Sequence, residues 1–195
     1  MTPEIDYAAW GEAFFTTAVT TERVLAGLGV LADRPLEVGP LKVGPAGLAS
    51  VRARGTIGDP VGTRTSATRA EFAVTLPVHL EFTIGLGVDK HRFEADLAVP
   101  LRLSARARAD LSILLDVVPP TPEEITVDLR ARSRRATLTQ YAANVDSELR
   151  RVVSRFVQRE LDKPYVQAAT VIDVDGAVAH AITTLVARSR TVAEG

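Results

Sequence analysis

A strict alternation of apolar residues between Ala70 and Val117 constrains this chain more than any other feature of its sequence. From Ala70 to Val88 every even position is apolar, and from Phe93 to Val117 every odd position is apolar. Successive side chains of a β-strand point to opposite faces, so this period predicts long strands with one apolar face and one polar face. The change of phase near Asp89–Lys90 marks the hairpin between the two strands.

Both phases are far longer than ordinary strands, which have about five or six residues. A straight strand of that length is too long for a compact domain, so these strands must twist and curve strongly. Proline and glycine mark the expected bends or edge positions, which are Pro77, Gly85, Gly87 and Pro100.

Helical periodicity occurs on both sides of these strands. Apolar residues recur at spacings of three and four from Asp6 to Leu28, with Asp6 as the N-cap, which predicts one helix packed on the sheet. A lid or a membrane-touching helix is the alternative, although the segment lacks the Lys and Arg typical of such helices. A longer amphipathic helix is predicted from Ala136 to Asp162, ending before Pro164.

The remaining segments predict shorter elements. The stretch Gly58–Thr68 is a polar connection that we expect to be exposed and mobile. A final helix is predicted at the end of the chain, with Asp173 or Asp175 as its N-cap. Shorter extended segments are predicted at Pro35–Gly47, Leu48–Ile57, Ile125–Ala131 and Tyr165–Val174. Together the patterns predict one α+β domain over residues 1–195, with a long helix covering the apolar face of a curved antiparallel sheet.

Charge and composition exclude several classes of protein. The 23 Lys and Arg residues are balanced by 24 Asp and Glu residues, which argues against a nucleic-acid binder of the usual basic kind. The chain has no cysteine, so disulfides and thiolate metal sites are excluded. No apolar run reaches the ~20 residues of a membrane span, and the first residues lack the pattern of a secretion signal. These observations predict a soluble cytoplasmic protein.

The sequence contains no recognisable pattern of catalytic residues. His79, His91 and His180 do not share metal-ligand spacing, and no nucleophile motif or paired acid occurs on an apolar face. The apolar positions of the two alternating stretches include no ionisable side chain, which argues against acid–base catalysis on that face. We therefore expect no enzyme activity, no metal and no cofactor, whereas an apolar ligand needs none of these groups.

The inner face of the sheet and the facing stripe of the long helix are the predicted ligand-binding residues. Small residues on the same face, Ala95, Ala105, Ala107 and Ala109, either leave a cavity or let a helix approach closely, and a cavity is the preferred interpretation. The predicted ligand-binding residues are Phe72, Val74, Leu76, Val78, Leu80, Phe82, Leu97, Val99, Leu101, Leu103, Val145, Leu149, Val152 and Phe156.

The polar face of the sheet carries many arginines mixed with acidic residues. Cross-strand ion pairing is the simplest interpretation of this mixture. The alternative is docking to the anionic headgroups of a membrane surface, centred on Arg102, Arg106 and Arg108, because no acidic residue lies between them on that face.

The order of the elements resembles a single module of the TULIP superfamily of tubular lipid-binding proteins. The likeness rests on the alternations Phe72–Val88 and Phe93–Val117 and on the helix Leu138–Leu161, without a short signature motif. It implies an α+β fold in which a highly curved antiparallel sheet wraps around a long amphipathic C-terminal helix, with an additional N-terminal helix. It further implies non-catalytic binding or transfer of a lipid or another hydrophobic molecule in the groove between sheet and helix. Because some relatives work as pairs of modules, a homodimer is also expected.

Two alternatives remain open. A START-like helix-grip domain also places a curved sheet around a C-terminal helix, although the strand and helix predicted after Pro164 and the unusual strand length argue against it. A scaffold or interaction protein would have the same sheet with its groove filled by its own helix.

Overall fold

The computed structural model describes residues 3–32, 34–43, 49–86, 89–131 and 139–193. Within these residues the chain is a mixed α and β protein, with a strongly curled antiparallel sheet of eight strands and five α-helices. The predicted α+β class is therefore confirmed. The predicted bend at Gly87 and the first residues of the predicted long helix, 136–138, lie outside the described residues.

The elements follow one another with short connections. The strands are β1 Pro35–Val43, β2 Ala49–Ile57, β3 Val61–Arg64, β4 Glu71–Leu86, β5 Asp89–Ala107, β6 Ser112–Val118, β7 Thr126–Ala131 and β8 Val171–Asp173. The helices are α1 Tyr7–Ala18, α2 Thr21–Leu28, α3 Thr139–Leu161, α4 Pro164–Ala169 and α5 Val174–Ala193. Short 3₁₀ turns lie at Gly29–Leu31 and Pro122–Glu124.

The β4–β5 hairpin is the centre of the sheet, and it has different neighbours at its two ends. Near the hairpin connection β4 pairs with β2 and β5 pairs with β7, and β1 lies beyond β2. At the opposite end β4 pairs with β3, β5 pairs with β6, and β8 lies beyond β6. The sheet thus consists of two five-stranded halves that share one hairpin.

Two prolines mark the boundary between these halves. Pro77 lies between the β4 residues that pair with β3 and those that pair with β2, and Pro100 lies between the β5 residues that pair with β7 and those that pair with β6. Proline has no N–H to donate to a ladder, so a position where the neighbouring strand changes accommodates it. The predicted special role of both prolines in the sheet is thereby explained.

The predicted alternation along the hairpin matches the burial of its side chains. From Phe72 to Ile84 the even residues of β4 are buried, and from Phe93 to Leu103 the odd residues of β5 are buried. The register places these residues opposite one another, and the rings of Phe82 and Phe93 stack with centroids 5.2 Å apart. Cross-strand pairs of this kind stabilise a sheet and fix its register.

The odd phase does not continue as one strand to Val117, contrary to the prediction. A turn at Arg108–Leu111 separates β5 from β6, and Leu111 is exposed with a φ of 56°, in the left-handed region. Asp110 stabilises this turn by accepting hydrogen bonds from the backbone and hydroxyl of Ser112. Ala107 and Ala109 are consequently exposed rather than part of an inner face, whereas Ala95 is fully buried.

The single N-terminal helix of the prediction is two helices. Asp6 does cap α1, accepting a hydrogen bond from the backbone of Ala9, but the chain breaks after Ala18 and Thr20 caps α2. Helix α2 buries Val24 and Leu28 as expected for packing on the sheet, whereas α1 has no buried residue. Helix α1 therefore packs less closely than predicted, touching the core through the partly buried Phe15 and Ala18.

Two further segments differ from the sequence prediction. The connection Gly58–Thr68 contains β3, which pairs with β4 and so belongs to the sheet. The predicted strand Tyr165–Val174 is mostly the helix α4, which begins at Pro164, followed by the three-residue strand β8. Proline is common at the first position of a helix, because the N–H that it lacks has no helical partner there.

The two long predicted helices at the C-terminal side are confirmed in the described residues. Helix α3 ends at Leu161, before Lys163 and Pro164, as predicted. Helix α5 begins directly after Asp173, whose carboxylate accepts a hydrogen bond from the backbone of Gly176 at 2.9 Å. Along α5, Val178, Ile182 and Leu185 are exposed.

Candidate functional site

The concave interior of the sheet is the candidate site, because it gathers nearly all the predicted ligand-binding side chains. The inner residues of β4 and β5 lie in one apolar cluster with residues of α3. Leu76, Leu80 and Val99 are fully enclosed, at 0% exposure, and Phe156 is the one predicted residue that is only half-buried. These residues therefore share one apolar core, and their role in ligand binding stays a prediction.

Helix α3 contributes its side of the cluster through Val145, Leu149, Val153 and Val157, which recur at helical spacing on one stripe. It packs against β1 and β7, which are the edge strands of the half formed by β1, β2, β4, β5 and β7. It also packs against the turn Pro122–Glu124. The hydroxyl of Ser154 donates a hydrogen bond of 2.8 Å to the backbone oxygen of Pro120, so one buried polar contact fixes α3 to this connection.

Few polar side chains are buried in the described part of the chain, and all of them have partners within the fold. They are Ser112, Ser154, Glu160 and Thr170. In these residues no buried side-chain nitrogen or oxygen lacks a hydrogen-bond partner. Among the inner β4 and β5 residues every side chain is a hydrocarbon, so the chemistry available there is the exclusion of water from apolar groups.

The other half of the sheet is covered by α2 and α4, and a cleft lies between them and the strands. Its free volume is about 10 Å³, room for no more than one water molecule, and it is partly open to solvent. Its lining is apolar apart from Thr170 and comprises Val24, Gly27, Leu28, Leu103, Leu115, Val117, Val166, Ala169 and Thr170. The cleft therefore reaches two residues of the inner face, Leu103 and Leu115, from the outside.

A polar cluster that the sequence did not reveal lies where α3 meets α4. The buried carboxylate of Glu160 accepts hydrogen bonds from the Lys163 ammonium at 2.5 Å and from the Tyr165 hydroxyl at 2.7 Å. The guanidinium of Arg34 lies 4.5 Å from the centroid of the Tyr165 ring. Burial by itself raises the pKa of Glu160, but these two hydrogen bonds outweigh burial, and the pKa lies below its ordinary value.

The arginines predicted to form a docking surface each have an acidic partner. Arg102 pairs with Glu124 at 2.6 Å and Arg106 pairs with Asp116 at 2.6 Å. Arg108 lies 3.5 Å from the carboxylate of Asp110. All three arginine side chains remain more than half exposed, so they form ion pairs on the outer surface of the sheet. This arrangement agrees with the simpler interpretation of the polar face.

The sequence offered no signal for the Arg102–Glu124 pair, because Glu124 belongs to a 3₁₀ turn and not to a strand of the same face. In the turn, the carboxylate of Glu124 accepts a hydrogen bond from the backbone of Thr121 and a second from Arg102. Both hydrogen bonds lower the pKa of Glu124, and the one from Thr121 has the larger effect. The acid is thus held in the charged form beside the arginine.

Of the three histidines, His79 makes a side-chain contact with an acidic residue. The imidazole Nδ1 of His79 lies 2.7 Å from Asp96 across β4 and β5, on the exposed face. This hydrogen bond, together with the nearby charge of Arg130, lowers the pKa of Asp96. The described residues contain no group of three or more His, Cys, Asp or Glu side chains arranged to hold a metal ion.

Fold and interior together define a class: a mixed α and β protein whose curled antiparallel sheet has a hydrocarbon inner face. Comparison with models of known protein families and with curated proteins finds no match to this sequence. In the part of the chain that the structure describes, no single helix is long and apolar enough to cross a membrane.

Proposed function

We propose that this protein binds or transfers a lipid or another hydrophobic small molecule without chemical conversion, in the apolar space between the sheet and α3. The observation that carries the proposal is the inner face of β4 and β5, an unusually long curved surface made only of hydrocarbon side chains. The resemblance to a single TULIP module supports the same function, and under this proposal the sheet would wrap around α3.

Leu76, Leu80 and Val99 are fully enclosed, so a ligand that reaches them must displace part of the packing between α3 and the sheet. Each methylene of an acyl chain that leaves water contributes about 0.8 kcal/mol, so a long chain offsets much of the apolar contact that α3 gives up. We propose that an apolar ligand enters at the shallow cleft beside Leu103 and Leu115, since the lining of this cleft is almost entirely apolar.

Native mass spectrometry of protein purified gently from cells tests this proposal. We expect a mass excess of one hydrophobic molecule, which organic extraction removes and which a fluorescent fatty acid replaces. A mass equal to that of the bare chain, together with no uptake of the fluorescent fatty acid, would contradict the proposal.

Phe156 provides a sharper test, because it is the predicted ligand-binding residue that is half-buried and can be changed with little loss of core packing. Phe156→Ser should weaken uptake of the fatty acid by about tenfold, since burying one large apolar side chain contributes ~1.5–3 kcal/mol. Gln158→Ser, on the exposed side of α3, is the matched control and should bind normally. Equal binding by both variants would remove Phe156 from the site.

An interaction protein with a filled core is the second candidate function, in either a TULIP-like or a helix-grip fold. The specific observation in its favour is the complete enclosure of Leu76, Leu80 and Val99. A bare mass, no fatty-acid uptake and capture of a partner protein that survives high salt would favour this candidate.

Docking of Arg102, Arg106 and Arg108 to anionic headgroups stays a separate prediction. Replacing all three by Gln should weaken binding to phosphatidylserine vesicles at low salt, because exposed charges are screened at high salt. Unchanged vesicle binding would leave these arginines with their ion pairs alone.

A further inference from the structure

Helix α1 is apolar around most of its circumference but buries none of its side chains. Between Tyr7 and Ala18 its one charged residue is Glu12, and Phe15 and Ala18 make partial contact with the core. Tyr7 is 95% exposed, Trp10 and the preceding Ile5 are each 56% exposed, and Phe14 is 36% exposed. A helix of this composition ordinarily lies inside a protein or against a membrane.

The exposed aromatic residues form one surface. Tyr7, Trp10 and Phe14 follow one another at spacings of three and four, so they share one side of α1. The rings of Trp10 and Phe14 stack with centroids 5.3 Å apart. Glu12 lies on a different side of the helix, because successive residues are rotated by about 100°. We refer to Tyr7, Trp10 and Phe14 as the aromatic face.

The aromatic face is held in place by the rest of the fold. The guanidinium of Arg23, on α2, donates hydrogen bonds to the last backbone oxygens of α1, at Thr17 and Ala18. Val19, between the two helices, is 1% exposed and belongs to the core. Helix α1 is therefore fixed at its C-terminal end and projects its aromatic side chains into solvent.

We infer that the aromatic face inserts into the interfacial region of an uncharged lipid bilayer. Trp and Tyr favour that region, because each has an apolar ring and a polar tip. The helix pair Tyr7–Ala18 and Thr21–Leu31, bent by 50°, has the length and hydropathy of a bent membrane segment. Val24 and Leu28 of α2 are buried in the protein core, whereas α1 has no buried residue. Helix α1 is therefore the part of this pair that can contact lipid.

The charges of the segment decide between possible occupants. Residues 3–22 carry the carboxylates of Glu4, Asp6, Glu12 and Glu22 and contain no Lys or Arg. An anionic bilayer would repel this segment, and two copies joined symmetrically through α1 would bring the same acidic groups together. A zwitterionic bilayer has no net negative charge, so it would not repel these carboxylates. Binding through α1 should therefore differ from binding through the arginines by requiring neither anionic lipid nor low salt.

The chain supplies its own probe, because Trp10 is its one tryptophan. Vesicles of phosphatidylcholine alone should shift the Trp10 emission to shorter wavelength, at low and at high salt, as the indole leaves water. No shift and no co-sedimentation with these vesicles would overturn the inference. A shift that depends on protein concentration without vesicles, with a dimer in sedimentation, would overturn it in favour of a second copy of the chain.

A pair of matched variants locates the contact on the helix. Phe14→Asp should reduce vesicle co-sedimentation by at least about tenfold, because it replaces a large apolar group with a charge on the aromatic face. Thr16→Asp adds the same charge on the other side of α1 and should bind as the unchanged protein does. Circular dichroism checks that both remain folded, and Trp10→Ser, measured by co-sedimentation, gives a second test with no new charge.

Equal losses in Phe14→Asp and Thr16→Asp would contradict insertion by the aromatic face. The inference adds a membrane contact to the proposed function, yet it needs no ligand in the interior. Vesicle binding without fatty-acid uptake would support this inference and refute the proposed function, whereas uptake without vesicle binding would do the reverse.

Discussion

Glu160 is a buried carboxylate, and its polar neighbours keep it charged. An isolated buried carboxylate would be strongly unfavourable, so its partners determine whether the residue stabilises the fold. Lys163 and Tyr165 satisfy the two oxygens, and Arg34 adds a further positive charge nearby. The cluster connects the end of α3, the start of α4 and the segment before β1.

Replacing Glu160 with Gln should lower the free energy of unfolding by about 1 kcal/mol at neutral pH, because it removes charge-assisted hydrogen bonds to a partly exposed lysine. A carboxyl whose folded pKa is depressed stabilises the fold above its unfolded pKa, about 4.3, and loses that contribution as pH falls through the folded value. Thermal unfolding at a series of pH values should therefore show a difference from the unchanged protein at pH 7 that vanishes in acid.

Asp162→Asn is the control for this prediction, since Asp162 is two residues away and exposed. Its effect on the free energy of unfolding at neutral pH should be small. A Glu160→Gln protein that is as stable as the original at neutral pH would show that the cluster contributes no net stability.

At the scale of the elements, the sequence predicted the long strands and helices, which have a clear periodicity. It did not predict the short strands, turns and helix breaks. The alternation identified β4 and β5 and their buried faces, and the stripe of α3 identified its core residues. The turn between β5 and β6 was missed because Ala109 and Leu111 continue the odd phase by chance. Its one local signal was Asp110, a residue that favours turns.

Three other features were not predicted, for similar reasons. The strand β3 has only four residues, too few to establish a period. The break between α1 and α2 depends on Thr20 as an N-cap inside a segment that is apolar on both sides. Pro164 was interpreted only as the end of α3, although it also begins α4. The polar cluster around Glu160 depends on that helix, so it could not be predicted without it.

Gly55 gives an element-scale prediction, because β2 and β4 approach each other closely at this residue. A Cβ at Gly55 would lie 2.0 Å from the backbone oxygen of His79 and 2.5 Å from a methyl carbon of Leu80. Backbone cannot yield as a flexible side chain does, so Gly55→Ala should destabilise the protein by about 1–3 kcal/mol in denaturant titrations.

Gly85 is the matched control in the same pair of strands. The nearest atom to a Cβ there is the backbone oxygen of Ser50 at 3.8 Å, an ordinary contact distance. Gly85→Ala should therefore leave stability nearly unchanged. If both variants unfold at the same denaturant concentration, close approach at Gly55 does not limit the packing of β2 on β4.

At the scale of the whole molecule, the two halves of the sheet are joined mainly through one hairpin. The flanking strands change at Pro77 and Pro100, and each half has its own helical cover, α3 for one and α2 with α4 for the other. Cooperative units of unfolding often coincide with such groups of contacts. The architecture therefore predicts two units that can open separately while β4 and β5 remain paired.

Native-state hydrogen exchange measures this directly. Amides of β4 and β5 that bond to each other should exchange only by global unfolding, whereas those of β6 and β8 should share one lower opening free energy. Leu115→Ala should lower that value by about 2 kcal/mol or more without changing the exchange of β2. A uniform opening free energy in all strands would instead describe a single cooperative sheet.

The order of the elements along the chain also affects how the protein is made. Seven of the eight strands precede α3, so the ribosome releases almost the whole sheet before the helix that covers its first half. During that interval Leu76, Leu80 and Val99 face water or neighbouring nascent chains, and exposed strand surfaces of this kind aggregate. We therefore expect a chain truncated before α3 to aggregate more readily than the full chain.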